Sequence, residues 1–165
     1  MPKNVMVVGT GTIGEPLIGL LAEHKDALGL DNVLFFKRTP LSDEKGKVEA
    51  LLRKGSKIVS TSDTLSDFKQ LGFSEIKNVD NAYEDADVII DCTPSGNENW
   101  KSIYSSLDQS KRFMAQGSEH GFGQFFAWGI NNDVLENGSN KYLIASCNTH
   151  NIASIVKTFA LDQSR

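Results

Sequence analysis

Cys147 has the clearest capacity for covalent chemistry in this chain. It lies in Ser146-Cys147-Asn148-Thr149, between an apolar strand pattern and a helical one. A thiol at a helix N-terminus has its thiolate stabilised by backbone N–H groups and the helix dipole. A pKa below the free value of about 8.5 is therefore expected there. The competing reading is a small apolar packing residue, the role of most free cysteines. His150, three positions on, and His120, in Gln116-Gly117-Ser118-Glu119-His120, are the side chains able to act as a base. A solvated surface histidine is the commoner role for each. Cys92 ends an apolar run and reads as core, and Asp91 beside it reads as a cap on the following turn. No pair of carboxylates has an evident acid/base role, and the two cysteines are too far apart in sequence to form a metal motif.

A second chemical feature opens the chain. Val5-Met6-Val7-Val8 leads into Gly9-Thr10-Gly11-Thr12-Ile13-Gly14, with glycines spaced G-x-G-x-x-G, and Ile13, Leu17, Leu20 and Leu21 follow at helical spacing. Strand, tight turn and helix are the context in which this spacing carries meaning. Gly9 lets the chain turn out of the strand, Gly11 leaves room for a pyrophosphate against the backbone, and Gly14 lets the helix lie close to the strand. The N–H groups at the helix start then face the phosphate charge. Without that context the same letters would describe a plain glycine-rich turn.

The next strand pattern ends in Phe36-Lys37-Arg38-Thr39-Pro40, with no acid until Asp43. A site for NAD usually places an acidic residue here for the ribose hydroxyls, whereas a site for NADP meets the 2′-phosphate with a cation. Lys37, Arg38 and Thr39 therefore point to NADP, with NAD as the other cofactor to consider; a solvated Lys-Arg pair at a loop tip is the bland alternative. Thr93-Pro94-Ser95-Gly96 closes another apolar strand with small residues that let a nicotinamide approach, and Gly117 ends the strand after it. An ordinary strand-to-helix turn would look the same in isolation.

These residues need a scaffold that brings them together. Strands are expected at about 4–8, 32–37, 57–60, 73–79, 87–92, 111–116, 124–131 and 142–146. Helices are expected at about 13–24, 43–54, 63–71, 99–107 and 148–161, with a turn or short helix at 132–136. Alternation of this kind predicts an α/β fold, a Rossmann-type doubly wound, mostly parallel sheet. Its ligands sit beyond the carboxyl ends of the strands, where the glycine turn, Lys37 to Thr39, Thr93 to Gly96, Gly117 and Ser146 to Thr149 are expected to fall. The bulk numbers agree: 165 residues allow one domain with a core, and 17 Lys and Arg against 21 Asp and Glu give a net charge of −4. That balance, with no basic run, argues against nucleic acid as the main partner. No apolar run is long enough to span a membrane and no signal-peptide pattern opens the chain, so a reducing, cytoplasmic setting is the expectation.

In order, Gly9-x-Gly11-Thr12-Ile13-Gly14, Lys37-Arg38-Thr39-Pro40, Asp91-Cys92-Thr93-Pro94-Ser95-Gly96, Gln116-Gly117 with Glu119-His120, and Ser146-Cys147-Asn148-Thr149 resemble the archaeal type of phosphorylating glyceraldehyde-3-phosphate dehydrogenase. The segment Phe126-Ala127-Trp128-Gly129-Ile130-Asn131 is also similar to the more widespread form of that enzyme. The likeness runs from about Val5 to Ile152. It implies that Cys147 attacks an aldehyde carbon as thiolate, that hydride passes to the nicotinamide, and that inorganic phosphate cleaves the resulting thioester. Thr12 and Ile13 would lie against the cofactor, Ser146 and Asn148 beside a small aldehyde phosphate.

The chain also departs from that family. There a sizeable domain follows the cysteine, bringing the activating histidine and the groups that bind substrate phosphate, and a final helix returns to cover the nucleotide domain. Here one helix follows Cys147; His150-Asn151 stand where threonine and glycine are usual, Ser118 replaces a second glycine, and a lysine before His120 is missing. The expectation is a nucleotide domain over 1–146, with 147–165 beginning a catalytic domain otherwise absent, inactive alone. An apolar face left uncovered would favour self-association into a homo-oligomer. The rival readings are a semialdehyde dehydrogenase relative, which also sets a cysteine at a helix start, and a non-catalytic NADP-binding sensor module.

Overall fold

In the computed structural model, which describes residues 3–161, Asn4–Val8 forms β1, and its alternation decides the architecture. Val5 and Val7 enter one buried cluster with Ile18, Val33 and Phe35. Met6 and Val8 enter another with Leu34, Ile89 and Phe113. A strand apolar on both faces must be covered on both sides. The elements that follow are α1 (Gly14–Glu23), β2 (Asn32–Phe36), α2 (Lys45–Arg53), β3 (Lys57–Ser60), α3 (Leu65–Gln70), β4 (Lys77–Asn78) and α4 (Val79–Asp85). After them come β5 (Val88–Asp91), α5 (Gly96–Ser102), β6 (Arg112–Ala115), β7 (Gln124–Phe126), β8 (Lys141–Ile144) and α6 (Cys147–Val156). Short 3-10 turns occupy Tyr104–Ser106 and Asn132–Glu136, and Lys157–Leu161 continues α6 as a wider π turn.

The eight strands form one sheet in the order β4-β3-β2-β1-β5-β6-β8-β7, and every pairing is parallel. The doubly wound α/β architecture is therefore present. α1, α2 and α3 bring Ile18, Val48, Leu51 and Phe68 to one face. α4 and the Tyr104 turn bring Val79, Ala82, Tyr83 and Tyr104 to the other. The chain works outward from β1 to β4, then crosses back to lay β5 on the other side of β1. At that reversal the connections leaving β1 and β5 diverge and open a crevice beyond their carboxyl ends.

The structure corrects several boundaries. The strand expected at 73–79 shrinks to Lys77–Asn78, and α4 follows where no helix was expected. Its signals were short but present: Asn78 Oδ1 accepts from Asp80 N at 2.7 Å, and Val79, Ala82 and Tyr83 share one buried side. α5 starts at Gly96 rather than near Asn99, because the Glu119 carboxylate accepts from Asn97 N at 2.8 Å and fixes the first turn there. The strand expected over 124–131 ends at Phe126, where Asn131 Oδ1 accepts from Ala127 N at 2.8 Å and folds the next residues into a turn. Residues 162–165 lie outside the described part of the chain.

The first turn shows why two glycines are needed to close β1 onto α1. Gly9 has φ +96°, a conformation L side chains rarely adopt, and a Cβ there would also stand 2.9 Å from Thr93 Cγ2. At Gly14 a Cβ would come within 1.9 Å of the Gly9 carbonyl oxygen. Gly14→Ala is thus expected to lower stability by about 3 kcal/mol, since neither backbone can retreat without opening the sheet. Gly46, in the first turn of α2, has open space around its Cβ position. Gly46→Ala should instead raise stability by roughly 0.5–1 kcal/mol. Urea unfolding of the two variants checks this, and equal midpoints would show that α1 is not held by that contact.

Candidate functional site

The crevice at the reversal holds a cleft of about 480 Å³. Gly9 and Thr10 form its floor at the end of β1. Lys37, Arg38 and Thr39 come from the end of β2, and Thr93 and Ser95 from the turn after β5. Five separated stretches of sequence converge here, counting Tyr83 from α4 and Glu98, Asn99 and Ile103 from the α5 region. Gly11 stands at the tip of the first turn, and a Cβ there would meet nothing within 4 Å. α1 begins behind it with no side chain capping its first N–H groups. The starts of α5 and α6 differ: Glu119 occupies Asn97 N, and Ser146 Oγ accepts from Thr149 N at 3.3 Å.

Asp91 builds the wall on the β5 side. Its carboxylate is fully buried. One oxygen accepts from Thr93 N at 2.8 Å and Thr93 Oγ1 at 2.6 Å; the other accepts from Asn99 Nδ2 at 2.7 Å and the Tyr104 hydroxyl at 2.8 Å. Burial, reinforced by the Asp91 charge, pushes the Tyr104 phenol far above its ordinary value. Burial likewise raises Tyr83, whose ring lies edge-on to that of Tyr104, to about 12. Both phenols stay protonated, which keeps Tyr104 a donor.

The two basic residues after β2 are in different states. Lys37 is buried and its ammonium is paired with the Glu44 carboxylate. The hydrogen bond from Lys37, ahead of the charges of Lys37 and Lys47, holds the Glu44 carboxyl below its usual range. No acid precedes Asp43, as read from the sequence, but Glu44 folds back from the start of α2 and pairs with Lys37, so of Lys37 and Arg38 only Arg38 stands without an acidic partner among the described residues. Arg38 is exposed and forms no ion pair among the described residues.

On the other side of the first turn lies an apolar trough of about 360 Å³, lined by Ile13, Leu17, Ile90, Cys92, Gly117, Ile144, Ser146 and Cys147 among others. Gly117 brings the carboxyl ends of β6 and β8 together: a Cβ on it would stand 2.6 Å from Ser146 N and 2.8 Å from the Ile144 carbonyl oxygen. Cys147 is the first residue of α6, one position ahead of the helix start expected at 148, and is exposed. His150 Nε2 lies 2.9 Å from the Trp128 carbonyl oxygen, so that nitrogen carries the proton and donates. Lys157 Nζ donates to the Gly129 carbonyl at 2.6 Å, and together these two bonds dock α6 on the 128–129 turn. His120 is exposed on the loop after Gly117.

Not every residue singled out in the sequence faces one of these two spaces. Gly11, Thr12, Pro94 and Asn148 are exposed and line neither. Gly14 packs on β1. Gly96 packs beneath Glu119, whose Cγ would be 3.1 Å from a Cβ there, so its smallness has a packing reason. Sequence reasoning missed Thr10, Phe36, Tyr83, Glu98, Asn99 and Ile103 in the cleft, and Leu17, Ile90 and Ile144 in the trough. Asn99 was findable, as the one amide a helical turn beyond the small-residue turn; the apolar residues give no signal apart from core. Among the described residues no three His, Cys, Asp or Glu side chains group as a metal site, and no helix is long and apolar enough to cross a membrane.

No protein-family model matches the chain. By sequence it is 29% identical over 162 residues, 96% of its length, to a glyceraldehyde-3-phosphate dehydrogenase of Pyrobaculum calidifontis. It is 27% identical over 159 residues to that of Sulfolobus acidocaldarius and 30% over 162 residues to that of Pyrobaculum arsenaticum. The matches cover 43–44% of those proteins, so the chain spans less than half the length of these relatives. The resemblance read from the motifs thus extends over nearly the whole chain. Among solved structures, Haloferax mediterranei glucose dehydrogenase in complex with NADP, Zn and gluconolactone aligns with a TM-score of 0.49 at 17% identity, covering 95% of this chain and 41% of that one.

The two thiols are expected to react very differently. Burial, with the Asp91 charge adding to it, pushes the Cys92 thiol up to about 11, so at pH 8 only about one molecule in a thousand carries the thiolate. Cys147 is exposed. Iodoacetamide at pH 8 should label Cys147 first, with Cys92 labelling rising about tenfold per pH unit towards pH 11. Peptide mass spectrometry reads both. Equal labelling at pH 8 would mean that Cys92 is not shielded as described.

Proposed function

We propose that this chain is the nucleotide-binding portion of an NADP-preferring, phosphorylating glyceraldehyde-3-phosphate dehydrogenase-type oxidoreductase, with residues 147–165 beginning its catalytic portion. The observation that carries the reading is the geometry of the first turn, an open approach at Gly11 with an uncapped α1 behind it, next to a cleft whose wall carries the exposed Arg38. Three features fit a dinucleotide. A Cβ at Gly11 would fill the space a pyrophosphate needs. The first N–H groups of the ten-residue α1 have no side chain on them, and a partial positive charge gathers there. The cleft is walled by half-buried Phe36 and buried Tyr83, apolar surface suited to an adenosine. Arg38 and Thr39 would hold a 2′-phosphate. Thr93 and Ser95 would face the ribose and pyrophosphate.

The trough on the other side of the first turn suits the nicotinamide end, since it is apolar and has Cys147 on its border. When bound, the nicotinamide supplies a hydride acceptor. The chain's own contribution is the nucleophile. Cys147, as thiolate at the start of α6, would add to an aldehyde carbon and afterwards carry the acyl group as a thioester, which inorganic phosphate takes from sulfur. Ser146 and Asn148 flank that position. His150 uses Nε2 to donate to the Trp128 carbonyl, which ties α6 to the 128–129 turn and leaves Nδ1 as its acceptor nitrogen. The apolar walls of Ile13, Leu17 and Ile144 would keep water from the reacting carbon.

Calorimetric titration of NADP and NAD tests the reading. NADP is expected to bind more tightly, and Arg38→Ala should weaken NADP by about ten- to a hundredfold while leaving NAD nearly unchanged, the worth of one charge-assisted contact. Equal affinities for the two cofactors would overturn the phosphate assignment. Gly11→Val is expected to remove cofactor binding with the melting temperature retained, because the added side chain meets no protein atom within 4 Å of Cβ but enters the pyrophosphate space. Normal binding by that variant would mean the phosphates sit elsewhere.

A further inference from the structure

We propose that Glu44 is a specificity-determining positioning residue: it neutralises Lys37 from behind, so that of the two adjacent cations only Arg38 is available to a phosphorylated ribose. The inference rests on the reading of the cleft as an adenosine-phosphate site and concerns how sharply that site tells phosphate from hydroxyl.

Lys37 is the first residue past β2, and its backbone is fixed. Its N–H donates to the Val59 carbonyl at 3.1 Å, and its own carbonyl accepts from Ser60 Oγ at 2.7 Å. The root of the side chain is therefore set at the wall of the cleft. The side chain does not extend into water: it is 10% exposed and its ammonium rests on the Glu44 carboxylate. Glu44 precedes α2 and is not part of the cleft lining. The lowered pKa of its carboxyl agrees with a charged pair. Lys47, the other cation that acts on Glu44, is itself held by Glu15 Oε2 at 2.8 Å. Lys37 and Glu44 thus form a pair with no net charge, the ammonium end buried and the carboxylate end partly open to solvent.

A 2′-phosphate and a 2′-hydroxyl respond differently to that arrangement. The hydroxyl is neutral and indifferent to the sign of the local field; the phosphate is a dianion that responds to every unit of charge beside it. While Glu44 holds Lys37, the discrimination available is that of Arg38 with Thr39. Removing the Glu44 charge adds one positive charge to the wall and releases the ammonium. Removing the Lys37 charge alone does the reverse. Removing both restores the balance without either residue.

Four variants test this by titration with NADP and NAD. Glu44→Gln is expected to raise the NADP/NAD affinity ratio by about three- to tenfold, in the range of one partly screened charge contact. Glu44→Asp, which keeps the charge, should keep the wild-type ratio. Lys37→Met should lower the ratio. The double variant Lys37→Met with Glu44→Gln is the decisive one, because it should return the ratio to near the wild-type value. Loss of NADP preference in the double variant would overturn the proposal, since Lys37 would then be binding phosphate despite Glu44. An unchanged ratio in Glu44→Gln, or an equal loss of both cofactors with a lower melting temperature, would likewise overturn it and leave Glu44 a structural role at the start of α2. Arg38→Ala separates this failure from that of the parent reading: if it leaves the ratio unchanged, the cleft is not a 2′-phosphate site at all.

Discussion

Asp91 ends β5 with its carboxylate fully buried, and among the described residues it forms no ion pair. A carboxylate removed from water is costly unless its lone pairs are filled by donors. Here four donors fill them, from Thr93, Asn99 and Tyr104. The consequence is geometric. The need to satisfy one charge locks the turn after β5, the body of α5 and the 3-10 turn at Tyr104 into a single unit. Thr93 and Asn99, two of those donor residues, also line the cleft. The cleft wall at Thr93 and Asn99 is thus fixed from behind by the buried Asp91 carboxylate. Tyr104 in turn packs against Phe113 and Tyr83, so the rigidity passes into the core beneath the sheet.

The same strand ends are drawn together by close backbone approach. Gly14 lies on the Gly9 carbonyl, and Gly117 on the backbone of Ile144 and Ser146. Each contact removes the width of a side chain between neighbouring elements. The first sets α1 against β1; the second sets the start of α6 against the end of β6. Cys147 follows Ser146 directly, so its place beside the trough depends on Gly117, thirty positions earlier in the chain. Glu119 does comparable work from the same loop, since it caps α5 at Asn97 and lies over Gly96. The Gln116-Gly117-Ser118-Glu119 stretch therefore reads best as the clasp between the two halves of the site.

The scaffold was legible in the sequence wherever a single period or a single steric demand governed a stretch. The apolar strands at β1, β2 and β5 and the glycine spacing are of that kind, and the helix start at Cys147 follows from a strand pattern giving way to a helical one. What the sequence hid falls into two groups. α4 is seven residues long, too short for its apolar spacing to stand out beside four acidic or amide side chains. The other group is pairing. Counting acids along the chain found none directly after β2, yet the fold returns Glu44 to Lys37 once α2 packs back on the sheet. Asp91 shows the same limit, because its nearest donor is two residues away and could be expected, whereas Tyr104 is thirteen away and arrives only through the packing of α5.

α6 shows how little of a helix needs to be fixed for its first residue to be placed. None of its residues is buried, and Ile152, Ile155, Val156 and then Phe159 are exposed. A ten-residue helix without a packed face is marginal in water by its own propensity. This one is stabilised at defined points: the Ser146 cap on Thr149, the His150 bond to the Trp128 carbonyl and the Lys157 bond to the Gly129 carbonyl. The cap acts at the N-terminal end, next to Cys147, and the other two tie the body of the helix to one tight turn. The helix is therefore held by single polar contacts at its start, in its middle and at its far end rather than by a packed face. The placement of Cys147 thus depends both on the sheet, through Gly117 and Ser146, and on the docking of α6 on the 128–129 turn.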